Sequence, residues 1–190
     1  MNAAAFEKLE SPDIKGKYAF VRALLVAGKE NPKALYPYLA KIIGMLDSKN
    51  TIVTWAAIEL LGNLIGVDKD HKIKALLPRL YMYLNTGGMI TANHAVAALS
   101  EIAKVELGFQ DEIIGELLKT EGYEYDTDEC RNIVYGTIIK GMNTCYPVIR
   151  EEKTKKKVFE FIRKQQGNTR NATKKKAEAF LKKYSRKEQG

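Results

Sequence analysis

Histidine and cysteine are the side chains best suited to metal binding or nucleophilic catalysis, and the chain has two of each: His71, His94, Cys130 and Cys145. A zinc site needs three or four such ligands, and neither histidine has further ligands close to it in sequence. A cysteine nucleophile needs a general base, and no pattern identifies one. Zinc-protease, nucleophile-elbow and phosphate-loop motifs are absent. The sequence therefore predicts no catalytic residue, no metal site and no cofactor, and hence not an enzyme.

A dense acidic segment, EGYEYDTDE, occupies residues 121–129. One interpretation is a site for a cation or a basic peptide, although the segment lacks the spacing of a calcium-binding loop. The other, which we favour, is an acidic flank that complements the dipole at the start of the next helix. Asp126 and Glu129 resemble a capping pair for that helix.

The positive charge is concentrated in the C-terminal part of the chain. The formal net charge is +8, and residues 150–190 contain 15 basic and 5 acidic residues, so residues 1–149 carry −2. Lysines outnumber arginines there and no aromatic residues alternate with them, which argues against base readout or base stacking. We expect a solvated terminal cap; the alternatives are sequence-nonspecific nucleic-acid binding, acidic proteins or a membrane surface. The candidate anion-binding residues are Lys155, Lys156, Lys157, Arg163, Lys164, Lys174, Lys175, Lys182, Lys183 and Arg186.

These side chains must be positioned by elements that repeat along the chain. The stretch AAIELLGNLI, which starts at Ala56, aligns with HAVAALSEIA, which starts at His94, and both show the apolar spacing of an amphipathic helix. KALYPYL (33–39) and KALLPRL (74–80) form a second repeated pair. Proline is tolerated in the first turn of a helix, so Pro37 and Pro78 are expected to mark helix starts. The repeating unit is a helical hairpin of about 40 residues.

The fold predicted from these repeats is all-α: a right-handed α-α superhelix, or solenoid, of about four to five hairpins in a single domain, 1–190. Cap residues and proline place the helix starts, as at Asn31-Pro32. The expected repeats are 11–47, 48–86, 87–125 and 126–167, followed by a C-terminal capping helix at 168–186. The expected helices are 12–28, 32–46, 50–66, 71–85, 88–105, 110–120, 127–143, 151–166 and 169–185.

The two repeated stretches together resemble a HEAT repeat, in which a helix of the type V-R-x-A-A-x-A-L-G-x-I precedes one of the type A-L-x-P-x-L. VTWAAIELLGNLIG followed by KALLPRLYMYL carries the resemblance. It implies stacked hairpins with a continuous core and a curved surface lined by the second, or B, helices. Thr54 and Ala92 stand where the family's first helix has arginine, which is expected to reappear as Arg131 and Lys174. Apolar stacking must then hold the middle repeats together.

The outward side chains of the B helices are the candidate binding face. Removing the expected core positions of the first two B helices leaves Tyr, Met, Lys and Arg side chains. Tyr, Met and Arg are enriched at protein interfaces, although an ordinary solvated ridge has the same pattern. The candidate residues are Tyr38, Lys41, Met45, Arg79, Met82 and Tyr83. The lone Trp55 is expected in the core.

These patterns favour a non-enzymatic, HEAT-like scaffold that binds a protein or peptide along its B-helix face. The alternatives are a nucleic-acid binder that uses the basic C-terminal helices and, less favoured, a HEAT-like lyase or glycosylase-type enzyme. No apolar run reaches membrane-spanning length and the N-terminus has no secretory signal. If most of the segment between Cys130 and Cys145 is helical, the two thiols lie too far apart to form a disulfide, which favours reduced thiols and a cytoplasmic location.

Overall fold

The computed structural model describes residues 3–86 and 88–185, and within those ranges all regular structure is helical. The chain divides into two compact units, Met1–Leu77 and Pro78–Gly190. In each unit, the helices are joined by short connections, and helices about one repeat apart pack side by side. The predicted all-α fold of repeated hairpins is therefore confirmed.

The first unit consists of a short N-terminal 3-10 segment followed by three helical parts. These are the first helix of a hairpin, which we call an A helix, then its B helix, and then the A helix of the next repeat. The first A helix packs against the next A helix, and the intervening B helix contacts both. The B helix alternates between α and 3-10 geometry. The elements are the 3-10 segment Ala3–Leu9, α1 (Ile14–Glu30), α2 (Pro32–Leu35), a 3-10 turn Tyr36–Tyr38, α3 (Leu39–Gly44), a 3-10 turn Met45–Asp47, α4 (Thr51–Leu64), and 3-10 turns at Ile65–Val67 and Lys74–Leu76.

Local side-chain chemistry explains where these helices begin. The Asn31 side chain accepts a hydrogen bond from the Ala34 N–H, and Pro32 occupies the first position of α2, as predicted. Asn50 caps α4 in the same way. Pro37, in contrast, does not begin a helix: it lies in the 3-10 turn between α2 and α3. A proline has no N–H for the i→i−4 bond, so the helix tightens there instead of continuing.

The second unit contains two layers of helices. The A helices α6, α8 and α10 pack side by side in one layer, and the B helices α7 and α9 pack side by side in the other. Its elements, which begin at the boundary between the units, are α5 (Leu77–Thr86), α6 (Gly88–Val105), α7 (Gln110–Leu118), α8 (Asp128–Cys145), α9 (Glu152–Lys164) and α10 (Asn171–Tyr184), with 3-10 turns at Leu107–Phe109, Lys119–Gly122, Tyr146–Val148 and Gln165–Gly167.

The start of α8 differs from the sequence prediction. Thr127 is the cap, and its side chain accepts a hydrogen bond from the Cys130 N–H. The proposed capping pair of Asp126 and Glu129 was therefore wrong. The threonine hydroxyl occupies the position that directly precedes the first helical residue, where a side-chain acceptor reaches the free N–H groups.

The last helix docks on the preceding helices through an apolar stripe. Its stripe residues are all buried: Thr173, Ala177, Phe180, Leu181 and Tyr184. The Phe180 ring lies 5.1 Å from that of Tyr146 and 4.6 Å from that of Tyr184, in the range of favourable aromatic pairs. The helix is thereby fixed to the 3-10 turn after α8, and its lysines are left on the outside.

Candidate binding surfaces

The B helix of the first unit presents Tyr38 and Lys41 but not Met45. Lys41 is exposed and Tyr38 is half-buried, whereas only 4% of the surface of Met45 is exposed to solvent. The prediction that Met45 points outward was wrong. A 3-10 turn has three residues per turn instead of 3.6, so the turn at Tyr36–Tyr38 rotates later residues away from the face expected of a continuous α-helix.

The N-terminal 3-10 segment covers part of this B helix, which the sequence did not predict. Phe6 and Leu9 are buried. The Phe6 ring lies 5.5 Å from that of Phe20, edge to face, and 5.7 Å from that of Tyr38. Phe6 and Leu9 are three positions apart, as on one side of a helical turn, and that spacing was the one available signal.

An open groove of about 470 Å³ lies between this segment and the end of the B helix; we call it the N-terminal groove. Its buried lining is apolar, and most of its exposed lining is charged. The buried side chains are Phe6, Leu9, Met45 and Val53, and the exposed charged ones are Glu7, Glu10, Lys41 and Asp47.

A hydrogen-bonded carboxylate fixes the loop that follows α4. Asp68 is 4% exposed, accepts hydrogen bonds from the backbone N–H groups of Lys72 and Ile73 at 3.1 and 2.7 Å, and accepts one from the Tyr36 hydroxyl. The bond to Asp68, reinforced by desolvation, raises the pKa of Tyr36 to about 12. These bonds hold the loop against the B helix, so they have a structural role.

The α5 helix carries the other three predicted binding residues, which we call the α5 ridge: Arg79, Met82 and Tyr83. Met82 is 62% exposed, and Arg79 and Tyr83 are half-buried. The Arg79 Nε donates a hydrogen bond to the Tyr83 hydroxyl at 3.2 Å. On the neighbouring side, the Tyr81 hydroxyl donates to Glu112 of α7 at 3.0 Å, and burial followed by that bond raises the pKa of Tyr81. Of the six predicted residues, Tyr38, Lys41 and the buried Met45 belong to the first unit, and the three residues of the α5 ridge belong to the second.

The predicted anion-binding residues fall into two groups. Lys155 pairs with Glu152 at 2.6 Å, Lys164 pairs with Glu121 at 3.0 Å, and the Arg163 guanidinium lies 5.7 Å from the Phe159 ring centre. Arg186 lies outside the described residues. The other six are exposed lysines on α9 and α10, which pack against each other, and we call them the lysine surface: Lys156, Lys157, Lys174, Lys175, Lys182 and Lys183. One of them, Lys183, lies 4.7 Å from the Tyr184 ring centre.

The acidic segment before α8 pairs with the basic C-terminal helices. Glu121 binds Lys164, and Glu129 binds Arg170 at 3.0 Å. Asp128 pairs with Arg131 within α8 at 2.6 Å. Glu121 and Lys164 are 43 positions apart, about one repeat length. The segment therefore links neighbouring repeats, in addition to placing acidic residues in the first turn of α8.

The two histidines and the two cysteines lie in different local environments. His71 is exposed at a left-handed turn (φ 54°), and His94 is half-buried. Both cysteines are free thiols in α8, and burial raises the pKa of Cys145 to about 12, which makes it a poor nucleophile. Trp55, expected in the core, is half-buried. Within residues 3–86 and 88–185, no three His, Cys, Asp or Glu side chains are grouped so as to hold a metal ion.

Comparison with known proteins adds little to this description. No known family profile matches the chain, and no curated protein matches it. Among solved structures, it is similar to a designed armadillo repeat protein, YIII(Dq)4CqI, with 15% sequence identity and a TM-score of 0.49 over 94% of this chain and 98% of that one. The helical-repeat fold therefore rests on the packing described above, and the likeness to HEAT repeats stays a resemblance.

A helix that spans a membrane must be both long and apolar. None in the described part of the chain is both long and apolar enough to cross a bilayer.

Proposed function

We propose that the protein is a non-enzymatic helical-repeat scaffold that binds a protein or peptide partner through exposed B-helix side chains, with the α5 ridge as the main contact. The observation that carries the proposal is the 62% exposure of Met82 beside the hydrogen-bonded pair Arg79 and Tyr83. Methionine, tyrosine and arginine are the residue types enriched at interfaces, and arginine and tyrosine dominate binding hot spots.

The surroundings of the ridge support a pre-organised surface. The bond between Arg79 and Tyr83 restrains two long side chains before any partner arrives, which reduces the entropy lost on binding. The bond from Tyr81 to Glu112 ties α5 to α7, and Tyr125 donates to the Leu84 carbonyl at 2.7 Å. Met82 itself is unbranched and adapts to the shape of a partner.

Site-specific photo-crosslinking tests this proposal. A benzophenone amino acid at position 82 of the full chain should capture a partner that the same label at Ala97, exposed on α6, does not capture. The captured protein is then purified and titrated. Met82→Glu should weaken binding at least tenfold and Ala97→Glu less than twofold, with unchanged helicity in both. Equal affinity of the Met82→Glu variant would contradict a role for the ridge.

A second proposal concerns the lysine surface, for which we suggest sequence-nonspecific binding of nucleic-acid phosphates. The observation that favours it is local: no acidic side chain of the described residues lies within ion-pair distance of these six lysines. Their helices are held rigidly by the buried stripe of α10. Neutralising phosphates releases counterions, so such binding must weaken steeply as salt rises.

Fluorescence anisotropy with a labelled random-sequence duplex, at several salt concentrations, tests the second proposal. Changing Lys174, Lys175, Lys182 and Lys183 to Gln should weaken binding and lower the slope of log affinity against log salt by about 0.9 for each phosphate that is no longer neutralised. The matched control removes the same charge from the first unit, at Lys15, Lys33, Lys49 and Lys69. No binding at low salt, or an equal loss of affinity in the control, would leave the lysines as a solubilising surface.

A reducing, cytoplasmic location is a further part of the proposed function. It is supported by Cys130 and Cys145, which are both free thiols. Alkylation of the half-buried Cys130 immediately on cell lysis should be complete. An oxidised Cys130 in that experiment would argue for an oxidising compartment.

A further inference from the structure

We infer that the N-terminal groove is a docking site for a short peptide segment in which an apolar side chain is followed by lysine or arginine. The groove belongs to the first unit, and the α5 ridge to the second. The inference therefore stands without the ridge, and the two can fail separately.

The shape and lining of the groove fit an apolar anchor. Its volume of about 470 Å³ lies in the range of roughly 300–1,000 Å³ typical of ligand sites, and it is partly open to solvent. Phe6, Leu9, Met45 and Val53 line it although each is less than a tenth exposed, so their remaining apolar surface faces the groove. An apolar side chain seated there would remove that surface from water.

The charged side chains that line the groove determine which residue of a bound peptide can lie beside the apolar anchor. Three exposed carboxylates (Glu7, Glu10 and Asp47) line the groove together with one ammonium group, that of Lys41. A lysine or arginine beside the anchor meets this negative charge, whereas an acidic residue there is repelled. Charge complementarity therefore specifies a basic partner, and it does so through like-charge repulsion as well as attraction.

Both walls of the groove are fixed in position, so the site exists before binding. The Phe6 ring is held between Phe20 and Tyr38, which sets the neighbouring Glu7 in place. Val53 lies in the first turn of α4, where Asn50 accepts hydrogen bonds from the N–H groups of Ile52 and Val53. A pre-formed site of this kind lowers the cost of ordering a short, flexible peptide.

Methyl NMR of the full chain provides the test, because Met45 lies in the groove and Met142, fully buried in the second unit, is an internal reference. The probe is an equimolar set of acetylated peptides Gly-Ser-Φ-Lys-Arg-Ser-Gly, with Φ as Leu, Ile, Met or Phe. We expect saturable shifts of the Met45 methyl and none of the Met142 methyl. Peptides with Glu-Glu in place of Lys-Arg, or with Ser as Φ, should bind at least tenfold more weakly.

A charge variant and its control complete the experiment. Glu7→Gln with Glu10→Gln should weaken the basic peptides about fivefold without changing helicity, whereas Glu30→Gln, at the exposed end of α1, should not. An unperturbed Met45 methyl at millimolar peptide, or equal binding of the acidic set, would overturn the inference. Shifts at Met82 alone would assign the peptides to the α5 ridge, and Met45 shifts that follow protein concentration without peptide would assign the groove to a second copy; either result overturns it.

Discussion

Neighbouring A helices are joined differently in the two units. In the first unit, the close contact between α1 and α4 is apolar, because a Cβ at Gly28 would lie 2.7 Å from the Leu60 Cδ2, and a partly exposed ion pair of Lys29 and Glu59 at 2.7 Å accompanies it. In the second unit, α8 and α10 meet through hydrogen bonds: Thr173 donates to the Asn132 carbonyl at 2.7 Å, and Lys176 to the Gly136 carbonyl at 3.1 Å. One repeat pattern thus accommodates both an apolar and a polar contact between helices.

The side chain of Asn132 is central to the polar contact. It donates to the Thr169 hydroxyl at 3.0 Å and accepts from the Asn168 amide at 2.9 Å. Arg131, the residue expected to replace the HEAT arginine, instead pairs with Asp128 in its own helix, and Lys174 is exposed. The link between repeats is therefore made by the residues next to the two expected ones, Asn132 and Thr173. Directional bonds fix the register of helices more strictly than apolar contact does.

The largest effect within this comparison is expected from adding a methyl group at its two glycine contacts, Gly28 and Gly136. A Cβ at Gly136 would lie 2.7 Å from the Thr173 Oγ1, which is short, branched and already hydrogen-bonded. We expect Gly136→Ala to destabilise by about 3 kcal/mol and Gly28→Ala by about 1 kcal/mol, because the end of the Leu60 side chain can move and alanine is the better helix former.

Chemical denaturation followed by two signals measures this difference. Trp55, the only tryptophan, lies in α4 and reports the first unit, while far-ultraviolet circular dichroism reports all helices. Thr173→Ala should partly rescue Gly136→Ala, since it removes the clashing hydroxyl. Equal costs for the two glycine substitutions would show that the polar contact is no more rigid than the apolar one.

Removal of the Asn132 side chain should have the next largest effect. Asn132→Ala removes the donor to the exposed Thr169 hydroxyl and one of the two acceptors of the Asn168 amide, which also donates to Gln165 at 2.8 Å, and we expect a loss of about 1 kcal/mol. The comparison in the first unit is Tyr18→Phe, which removes the acceptor for the Asn50 amide at 3.3 Å and should cost less than about 0.5 kcal/mol. Faster hydrogen exchange in α10 of Asn132→Ala alone would locate the effect; similar losses of stability in both variants would contradict the comparison.

Alkaline pH should weaken the second unit through Cys145. Burial raises its pKa from 9.0 to about 12, so the folded state favours the neutral thiol. That contribution is complete below pH 9 and is lost as the pH rises toward 12, at about 1 kcal/mol per pH unit. Cys145→Val should flatten this decline. Cys130→Val, the same change at a half-buried position of α8, is the control, and equal pH dependence in both variants would exclude thiol ionisation as the cause.

Local signals predicted the helices well, and the surfaces less well. The helix expected at 88–105 is observed as Gly88–Val105. The apolar periodicity and the glycine that predicted it are local signals, because they depend on residues only a few positions apart. Met45 was misplaced because a 3-10 turn changes the periodicity on which the prediction depended. The burial of Phe6 depends on Tyr38, 32 positions later, and Glu121 meets Lys164 across one repeat. Contacts of that range leave no short-period pattern in a sequence.

Removal of the ion pair between Glu121 and Lys164 should have the smallest effect on stability. The same substitution also tests the lysine surface. Both side chains are largely or partly solvated, so Glu121→Gln should cost less than about 0.5 kcal/mol. The substitution releases Lys164 on α9, the helix that also carries Lys156 and Lys157 of the lysine surface. If those lysines bind nucleic-acid phosphates, affinity in anisotropy should rise two- to threefold and the salt slope should steepen by up to about 0.9. Glu106→Gln, the same charge change in the connection after α6, is the control. An equal rise in affinity in that variant would show that the effect comes only from the net charge of the protein.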